Sequence, residues 1–183
     1  MTQNTTRNAP AAKRDAASLE GKYLTFRLGD EEYGLEILKV QEIIGTMDIT
    51  PVPGTPPFVR GVLNLRGKVI PIVDLRLKIG MEAAAQTDET CTIVVQARGV
   101  QMGTVVDKVS EVLNIASEDI EETPSFGAQV NTDYILGIGK LAGRVRLLLD
   151  IDRVLVDDDL MDGLAGEAYA GVPAEELPVA VGA

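Results

Sequence analysis

The sequence of 183 residues has no histidine, no tryptophan and one cysteine, and aromatic residues make up only 4% of it. Without histidine the chain cannot build a serine or cysteine catalytic triad, and a principal zinc ligand is missing. Cys91 has no second cysteine with which to pair, and its position in the apolar run 90–95 is typical of a small buried hydrophobe in a strand. We therefore expect an aliphatic core and no reactive centre of these classes.

Long apolar runs are also absent, since no stretch approaches the roughly 18 apolar residues of a membrane span. The N-terminal region lacks the apolar segment of a signal peptide. Together with the single cysteine, these features predict a cytoplasmic protein without direct membrane insertion. The formal net charge is −11 and the basic residues form no stripe, so nucleic acid is not an expected partner.

The two ends of the chain differ in composition from its middle. Residues 1–20 show no periodic apolar pattern before Leu19 and are predicted to be a disordered tail. Residues 157–183 carry seven acidic residues and no basic one, and 161–183 are predicted to be an acidic tail rich in Ala, Gly and Pro. The folded region is expected to span residues 21–156.

The middle of the chain contains two pairs of similar stretches in the same order. Residues 34–44 resemble residues 103–113, which lie 69 positions later, and residues 61–75 resemble residues 137–151, which lie 76 positions later. The matched positions include charged as well as apolar residues, although Gly and Val are common enough to leave chance similarity open. The pattern predicts a duplicated β module.

Alternating apolar and polar residues predict short strands in both modules. Four prolines within residues 50–57 exclude a regular helix or a central strand there and predict a stiff, extended connection. A module of about 65 residues is marginal alone, and its strand edges invite stray pairing, so two small barrels packed together are expected. We predict a first barrel at 21–80, a second at 90–149 and a C-terminal helix at 150–160.

The contact between the two predicted barrels is called the seam. The seam is predicted to be lined by apolar residues from the matched stretches, namely Val40, Ile43, Val109 and Val112.

Segments that resemble ligand-binding loops do not fit their templates. Residues 61–68 place five residues between the glycines where a phosphate loop has four, and Val69 stands where Ser or Thr must hold magnesium. The acids at 157–162 lack the alternating oxygen ligands and distal glutamate of a calcium loop. No metal, cofactor or catalytic residue is predicted, and an enzyme with an unrecognised acid pair is the alternative. For Glu42 and Arg66, the residues alone favour solvent exposure or a weak surface ion pair.

Residues 33–43 and 58–76 resemble the CheW family of bacterial chemotaxis coupling proteins, and the similarity runs over about residues 23–156. The motif Asn64-Leu65-Arg66-Gly67 is typical of this family and of the related regulatory domain of the histidine kinase CheA. The resemblance implies a mainly β fold of two tandem, five-stranded SH3-like barrels with short helices. It also implies a non-catalytic adaptor that links the cytoplasmic tips of methyl-accepting receptors to CheA in signalling arrays. A regulatory module related to a multidomain kinase, or to a receiver-containing coupling protein, is the alternative.

The resemblance further implies two binding surfaces. The receptor tip is expected to lie against the seam and the first barrel, where Glu42 and Arg66 form a pair that orients the surface. The implied receptor-binding residues are Val40, Glu42, Ile43, Gly61, Arg66 and Val112. The kinase regulatory domain is expected to contact the second barrel near Gly103 and Gly137, where a missing side chain allows close backbone approach. Turn geometry is the alternative explanation for each of these two glycines. Other CheW-like domains are further candidate partners of the protein.

Overall fold

The computed structural model describes residues 14–127 and 132–155, and within them eleven strands form two sheets. The strands are β1 (Gly21–Leu28), β2 (Glu31–Glu36), β3 (Val40–Ile44), β4 (Val59–Leu65), β5 (Lys68–Asp74), β6 (Cys91–Ala97), β7 (Val100–Val106), β8 (Lys108–Ile115), β9 (Ile120–Glu121), β10 (Ile135–Leu141) and β11 (Arg144–Leu149). The α-helices are α1 (Ala16–Leu19), α2 (Leu75–Lys78) and α3 (Ile151–Leu155), and Ile37–Lys39 and Ser117–Asp119 are single 3₁₀ turns. Within this part of the chain, no helix has the length and apolar composition needed to cross a bilayer.

Three of the hairpins reverse direction through two residues that both have positive φ. These pairs are Arg66-Gly67 (53° and 84°), Arg98-Gly99 (44° and 78°) and Ala142-Gly143 (54° and 73°). Positive φ at both positions is the signature of a type I′ turn, whose twist matches the twist of the flanking strands. Glycine at the second position adopts this conformation without steric cost, so these dipeptides fix the hairpin register.

Each sheet combines strands from both halves of the chain. The six-stranded sheet has the order β8-β1-β2-β11-β10-β9, and the five-stranded sheet has the order β3-β6-β7-β5-β4. The β1–β2 hairpin lies in the six-stranded sheet, but the chain then crosses to the other sheet as β3. The β6–β7 hairpin lies in the five-stranded sheet, and the chain crosses in the opposite direction as β8. We call β3 and β8 the crossing strands.

The predicted duplication is confirmed by the strand pairing. Strands β2 and β11 pair in parallel with Gly34 opposite Leu148, and strands β5 and β7 pair in parallel with Gly103 opposite Ile72. The two glycines are 69 positions apart and the two apolar partners are 76 positions apart, which are the offsets found in the sequence. Each half therefore supplies the same elements to the fold, in exchanged positions.

The mainly β class with two β units is confirmed, but the predicted boundaries of the two barrels are wrong. Residues 21–80 contribute β1 and β2 to the six-stranded sheet and β3, β4 and β5 to the five-stranded sheet. Residues 90–149 contribute their strands in the reverse manner. The repeat shows that two similar units exist, but it does not reveal which hairpin pairs with which crossing strand, because those contacts join distant residues.

The largest hydrophobic cluster joins the two sheets. Its fully buried members come from both of them and include Phe26, Leu35, Leu149, Ile93 and Val106. Of the four residues predicted for the seam, Val40 and Val109 are partly buried against this cluster. Ile43 and Val112 are instead 45% and 50% exposed. The seam is therefore a shared core, and two of its predicted residues lie on the protein surface.

The predicted N-terminal tail is partly wrong. Ala16–Leu19 forms α1, and the Leu19 side chain is buried in a cluster with Tyr23 and Ile120. The Tyr23 hydroxyl donates a hydrogen bond to the Leu19 carbonyl oxygen at 2.6 Å. The apolar side chain of Leu19 orders this turn because it closes one end of the six-stranded sheet. Residues 1–13 of the predicted tail lie outside the described residues.

The C-terminal helix begins close to its predicted position. The prediction placed it at 150–160, and the described helix is Ile151–Leu155, with Ile151, Val154 and Leu155 buried. Asp150 caps it, since its Oδ1 accepts hydrogen bonds from the amides of Asp152 and Arg153. The rest of the predicted helix and the acidic tail at 161–183 lie outside the described residues.

Candidate functional interface

The turn between β4 and β5 places Arg66 against Glu42 of β3. Arg66 donates from Nη1 to Glu42 Oε1 at 2.6 Å and from Nη2 to Glu42 Oε2 at 2.8 Å, which is a bidentate pair. The Arg66 side chain is 70% exposed and the Glu42 side chain 25% exposed. The hydrogen bonds from Arg66 lower the pKa of the Glu42 carboxyl below its ordinary value, so the pair stays charged at neutral pH. The pair implied by the family resemblance is thus present in the structure.

The position of Arg66 depends on the residues around it in the turn. The buried Asn64 side chain accepts a hydrogen bond through Oδ1 from the Gly67 amide at 2.8 Å. A side-chain amide that bonds the backbone in this way closes the turn from within. Leu65, which directly precedes Arg66, is buried in the core of the five-stranded sheet. The motif therefore combines a buried cap, a core anchor, an exposed cation and a glycine with positive φ.

Strand β3 carries three of the predicted receptor-binding residues and lies at an edge of the five-stranded sheet. Its register with β6 shifts between Val40, opposite Val95, and Glu42, opposite Val94. Such irregularities at a sheet edge redirect side chains. Val40 consequently packs towards the core. Ile43, the residue after Glu42, is exposed.

Val112 is carried by the other crossing strand. Strand β8 lies at an edge of the six-stranded sheet and pairs with β1, where Val112 is opposite Leu24. The exposed Val112 side chain therefore belongs to a different sheet from Ile43. The predicted receptor-binding residues are thus distributed over both sheets: Val40, Glu42, Ile43 and Val112 lie on the crossing strands, whereas Gly61 lies in β4 and Arg66 in the turn that follows it.

Gly61 is buried in β4 rather than exposed. A Cβ atom at this position would lie 2.0 Å from the Thr50 carbonyl oxygen. Thr50 exchanges two backbone hydrogen bonds with Val62, each 2.9 Å long, so the proline-rich connection is held directly against β4. The glycine is required for this close backbone approach.

Gly103 is also buried, in the central region of the five-stranded sheet. A Cβ atom there would lie 2.5 Å from Cδ1 of Ile72 and 2.8 Å from Cγ2 of Thr92. The matched residue of the other half, Gly34, would place a Cβ atom 2.9 Å from Cδ2 of Leu148. The same packing requirement in both halves explains the glycine without any partner.

Gly137 lies in β10 of the six-stranded sheet and is likewise buried. A Cβ atom there would lie 3.0 Å from the Glu121 carbonyl oxygen and 3.4 Å from Cδ1 of Leu19. The structure therefore places the two predicted kinase-binding glycines in different sheets, each covered by its own neighbours. Close packing rather than turn geometry accounts for both.

Two aspartates connect the sheets, and neither was predicted to have a functional role. Asp107 is the residue between β7 and β8. Its carboxylate accepts hydrogen bonds from the Gly29 amide at 2.7 Å and from Arg76 Nε at 2.8 Å, and its own amide donates to the Arg27 carbonyl oxygen at 3.1 Å. We call Gly29, Arg76 and Asp107 the Asp107 cluster. The hydrogen bonds from Arg76 lower the pKa of Asp107.

The second aspartate is Asp152 of α3. It accepts hydrogen bonds from Lys39 Nζ and from the Arg98 amide, both at 2.9 Å. We call Lys39, Arg98 and Asp152 the Asp152 cluster. Burial alone would raise the pKa of Asp152, but the bonds from Lys39 and Arg98 outweigh it and lower the pKa overall. The sequence signal for both clusters is weak, because their members are far apart along the chain.

The Asp107 cluster makes the stability of the fold depend on pH. Because the pKa of Asp107 is lowered in the folded protein, its stabilising effect is fully present above the unfolded value of about 3.9 and is lost as pH falls through the folded value. We expect Asp107→Asn to lower the free energy of unfolding by about 1–3 kcal/mol at pH 7, since charged hydrogen bonds are lost. Urea unfolding at several pH values measures this difference.

Between pH 7 and pH 5 the difference between the wild-type protein and Asp107→Asn should stay constant. It should shrink below about pH 4, where the wild-type carboxylate takes up a proton and the variant does not. A difference that grows as the pH falls would contradict the charged state of Asp107 in the folded protein.

The geometry offers docking surfaces and no assembled reactive centre among the described residues. Within 14–127 and 132–155, no group of three or more His, Cys, Asp or Glu side chains could hold a metal ion. Burial raises the pKa of the half-buried Cys91 thiol, so this thiol is not activated at neutral pH.

Comparison with known proteins identifies the family. Residues 22–159 match the model of the CheW-like domain. Chemotaxis protein CheW of Klebsiella aerogenes is 39% identical over 159 residues, which cover 86% of this chain and 96% of that protein. Chemotaxis protein CheW of Rhizobium meliloti is 37% identical over 74% of this chain and 88% of that protein.

A solved structure agrees with these relatives. The crystal structure of the scaffolding protein TtCheW from Thermoanaerobacter tengcongensis superposes with a TM-score of 0.70 and 32% sequence identity. The match covers 76% of this chain and 94% of that chain. The chain therefore belongs to the CheW-like domain family, the non-catalytic coupling adaptors of bacterial chemotaxis.

Proposed function

We propose that this adaptor joins the cytoplasmic tips of methyl-accepting receptors to the regulatory domain of the kinase CheA, in arrays at the cytoplasmic side of the membrane. The observation that carries the receptor half of the proposal is the bidentate Glu42–Arg66 pair. It fixes an acid and a base in a defined arrangement on the surface, on the strand that also carries the exposed apolar side chain of Ile43. Such a surface suits a helical partner with alternating apolar and charged positions.

The proposed receptor surface extends over both crossing strands. Ile43 on β3 and Val112 on β8 supply exposed apolar contacts, and Val40 supports β3 from the core side. Gly61 contributes indirectly, because it lets the proline-rich connection lie against β4, the strand that leads to Arg66.

The proposed kinase surface lies over the strands that hold Gly103 and Gly137. These glycines are assigned an indirect role, since both are buried and permit the close packing of β7 and β10. A larger residue at either position would displace neighbouring strands and so change the outer surface. Other CheW-like domains are proposed as additional partners of such exposed β surfaces.

Each contact of this kind is expected to be weak. A few exposed apolar side chains and one ion pair fall below a standard interface of about 1,600 Å². Many such contacts made at the same time in an array raise the effective affinity without any new contact. The adaptor can thus be exchanged individually while the array persists.

Reconstitution tests the proposal. Receptor-containing vesicles, the CheA kinase and ATP are mixed with or without this chain, and kinase autophosphorylation is measured with and without the receptor ligand. Control of the kinase by the receptor ligand is expected only in the mixture that contains the chain. Equal control in both mixtures would contradict the coupling function, and bovine serum albumin in place of the chain controls for added protein.

A further inference from the structure

The Asp107 and Asp152 clusters occupy equivalent places in the two halves of the fold. Gly29 and Arg98 are 69 positions apart and lie in matched hairpin turns, and each donates its amide to the aspartate of its cluster. Arg76 and Asp152 are 76 positions apart and lie in matched helices, α2 and α3. The two offsets are those of the duplicated β module. The third pair, Lys39 and Asp107, is 68 positions apart, one short of the offset of 69, so the clusters match at two of their three members and are similar in the third.

The charges are exchanged between the two versions. In the Asp107 cluster the helix supplies the cation, Arg76, and the residue before the crossing strand supplies the acid. In the Asp152 cluster the helix supplies the acid, and Lys39, which immediately precedes β3, supplies the cation. Both versions thus join a hairpin turn, a helix and the start of a crossing strand. The feature that the two versions share is therefore the joint itself and not the placement of its charges.

Each cluster lies where the chain passes from one sheet to the other. Asp107 directly precedes β8, which carries Val112, and Lys39 directly precedes β3, which carries Glu42 and Ile43. A crossing strand leaves one sheet and pairs with a hairpin of the other sheet. The position of its first residues therefore affects how the two sheets are placed relative to each other. The aspartates do this through hydrogen bonds to elements on either side of the crossing.

We propose that the Asp107 and Asp152 clusters are positioning elements for the receptor-facing surface, which set the placement of β8 and β3 relative to each other. This inference rests on the proposed function, because it assigns Ile43 and Val112 to one receptor surface. The residues of the clusters act through the strands that follow them.

Burial separates these clusters from ordinary surface ion pairs. The Arg76 and Asp107 side chains are 17% and 29% exposed. The neighbouring pair of Lys108 and Glu89, at the same end of β8, has side chains that are 46% and 60% exposed. Exposed pairs constrain their surroundings little, whereas a partly buried carboxylate with several donors holds them in place. The Lys108–Glu89 pair is therefore a matched control for the Asp107 cluster.

The test compares Asp107→Asn, Asp152→Asn and the control Glu89→Gln in the full-length protein. Dissociation constants are measured for a soluble fragment of a receptor tip and, separately, for the regulatory domain of the CheA kinase. Asp107→Asn and Asp152→Asn are each expected to weaken receptor binding by about 3- to 10-fold and to change kinase binding by less than about 2-fold. Glu89→Gln is expected to change neither by more than about 2-fold.

A conservative variant separates positioning from general destabilisation. Arg76→Lys keeps a cation near Asp107 and should retain more receptor affinity than Arg76→Gln, while thermal unfolding confirms that both are folded. If the two aspartate variants leave receptor binding unchanged, or weaken receptor and kinase binding equally, the positioning role is wrong. If Asp107→Asn folds poorly, the comparison of Arg76→Lys with Arg76→Gln supplies the same test.

The proposed function can fail separately. If the wild-type chain binds no receptor fragment, or if Glu42→Lys binds it as well as wild type does, the receptor surface itself is wrongly placed and this inference falls with it. If Glu42→Lys loses receptor binding while both aspartate variants keep it, only the positioning role is overturned.

Discussion

Replacement of Gly61 by alanine is expected to lower the free energy of unfolding by about 3 kcal/mol or more. The new Cβ atom would lie 2.0 Å from the Thr50 carbonyl oxygen, and Gly61 also has a φ of 139°, which alanine rarely adopts. The obstructing atom belongs to the backbone, so no side-chain rotation relieves the overlap. Either β4 or the proline-rich connection must move, and the hydrogen bonds between Thr50 and Val62 are lost. Thermal and urea unfolding measure the effect.

Gly21→Ala is the matched control for this prediction. Gly21 has a φ of 155°, close to that of Gly61, but nothing lies within 4 Å of a Cβ atom at its position. The control therefore carries the backbone strain without the overlap, and we expect it to cost about 1 kcal/mol. If the two variants lose similar amounts of unfolding free energy, the close approach of Thr50 to β4 is not the reason that position 61 requires glycine.

Glu42→Lys should abolish most receptor capture, with at least a tenfold loss of affinity for a receptor-tip fragment. The change replaces a bidentate ion pair with two like charges on one surface, so Arg66 is repelled from its present position. Binding to the kinase regulatory domain should stay within about 2-fold, because Glu42 is at the edge of the five-stranded sheet and its removal leaves no buried group unpaired. Pull-down and titration calorimetry with each partner measure the two affinities.

Glu121→Lys provides the same chemical change at another exposed ion pair. Glu121 accepts a hydrogen bond from Lys140 at 2.6 Å on the six-stranded sheet, and both side chains are exposed. Receptor binding should survive this substitution. Equal losses of receptor binding in the two variants would mean that overall charge, rather than the Glu42–Arg66 pair, controls the interaction.

The double variant Glu42→Lys with Arg66→Glu distinguishes two roles of the pair. It restores opposite charges but exchanges their places. Recovery of receptor binding would show that the pair acts by shaping the surface, and continued loss would show that the receptor contacts the charges themselves.

Local features of the fold could be predicted from the sequence because they depend on neighbouring residues. The Arg66-Gly67 turn follows from a glycine between two alternating strands, and the helix at Ile151 follows from the apolar spacing of Ile151, Val154 and Leu155. The duplication was visible because both halves repeat the same packing demands, such as glycine at positions 34 and 103. These signals determine which elements form.

The arrangement of those elements could not be predicted, because it depends on contacts between distant residues. Nothing near Val40 indicates that its strand leaves the first hairpin and pairs with β6. The roles of Asp107 and Asp152 depend on Gly29 and Lys39, which are 78 and 113 positions away. The burial of Gly137 could not be predicted either. Leu19 helps to cover this glycine, and Leu19 lies in a segment predicted to be disordered.

The exchange of strands also determines how the protein can fold. If the chain were cut within residues 81–89, between α2 and β6, neither fragment could complete a sheet by itself, because each would lack the partner strands that the other supplies. One barrel is therefore not expected to assemble independently, and we expect the two to form in a single cooperative transition. Loss of core packing in one barrel is then expected to destabilise the other, so a species with one folded and one unfolded barrel is not expected to accumulate.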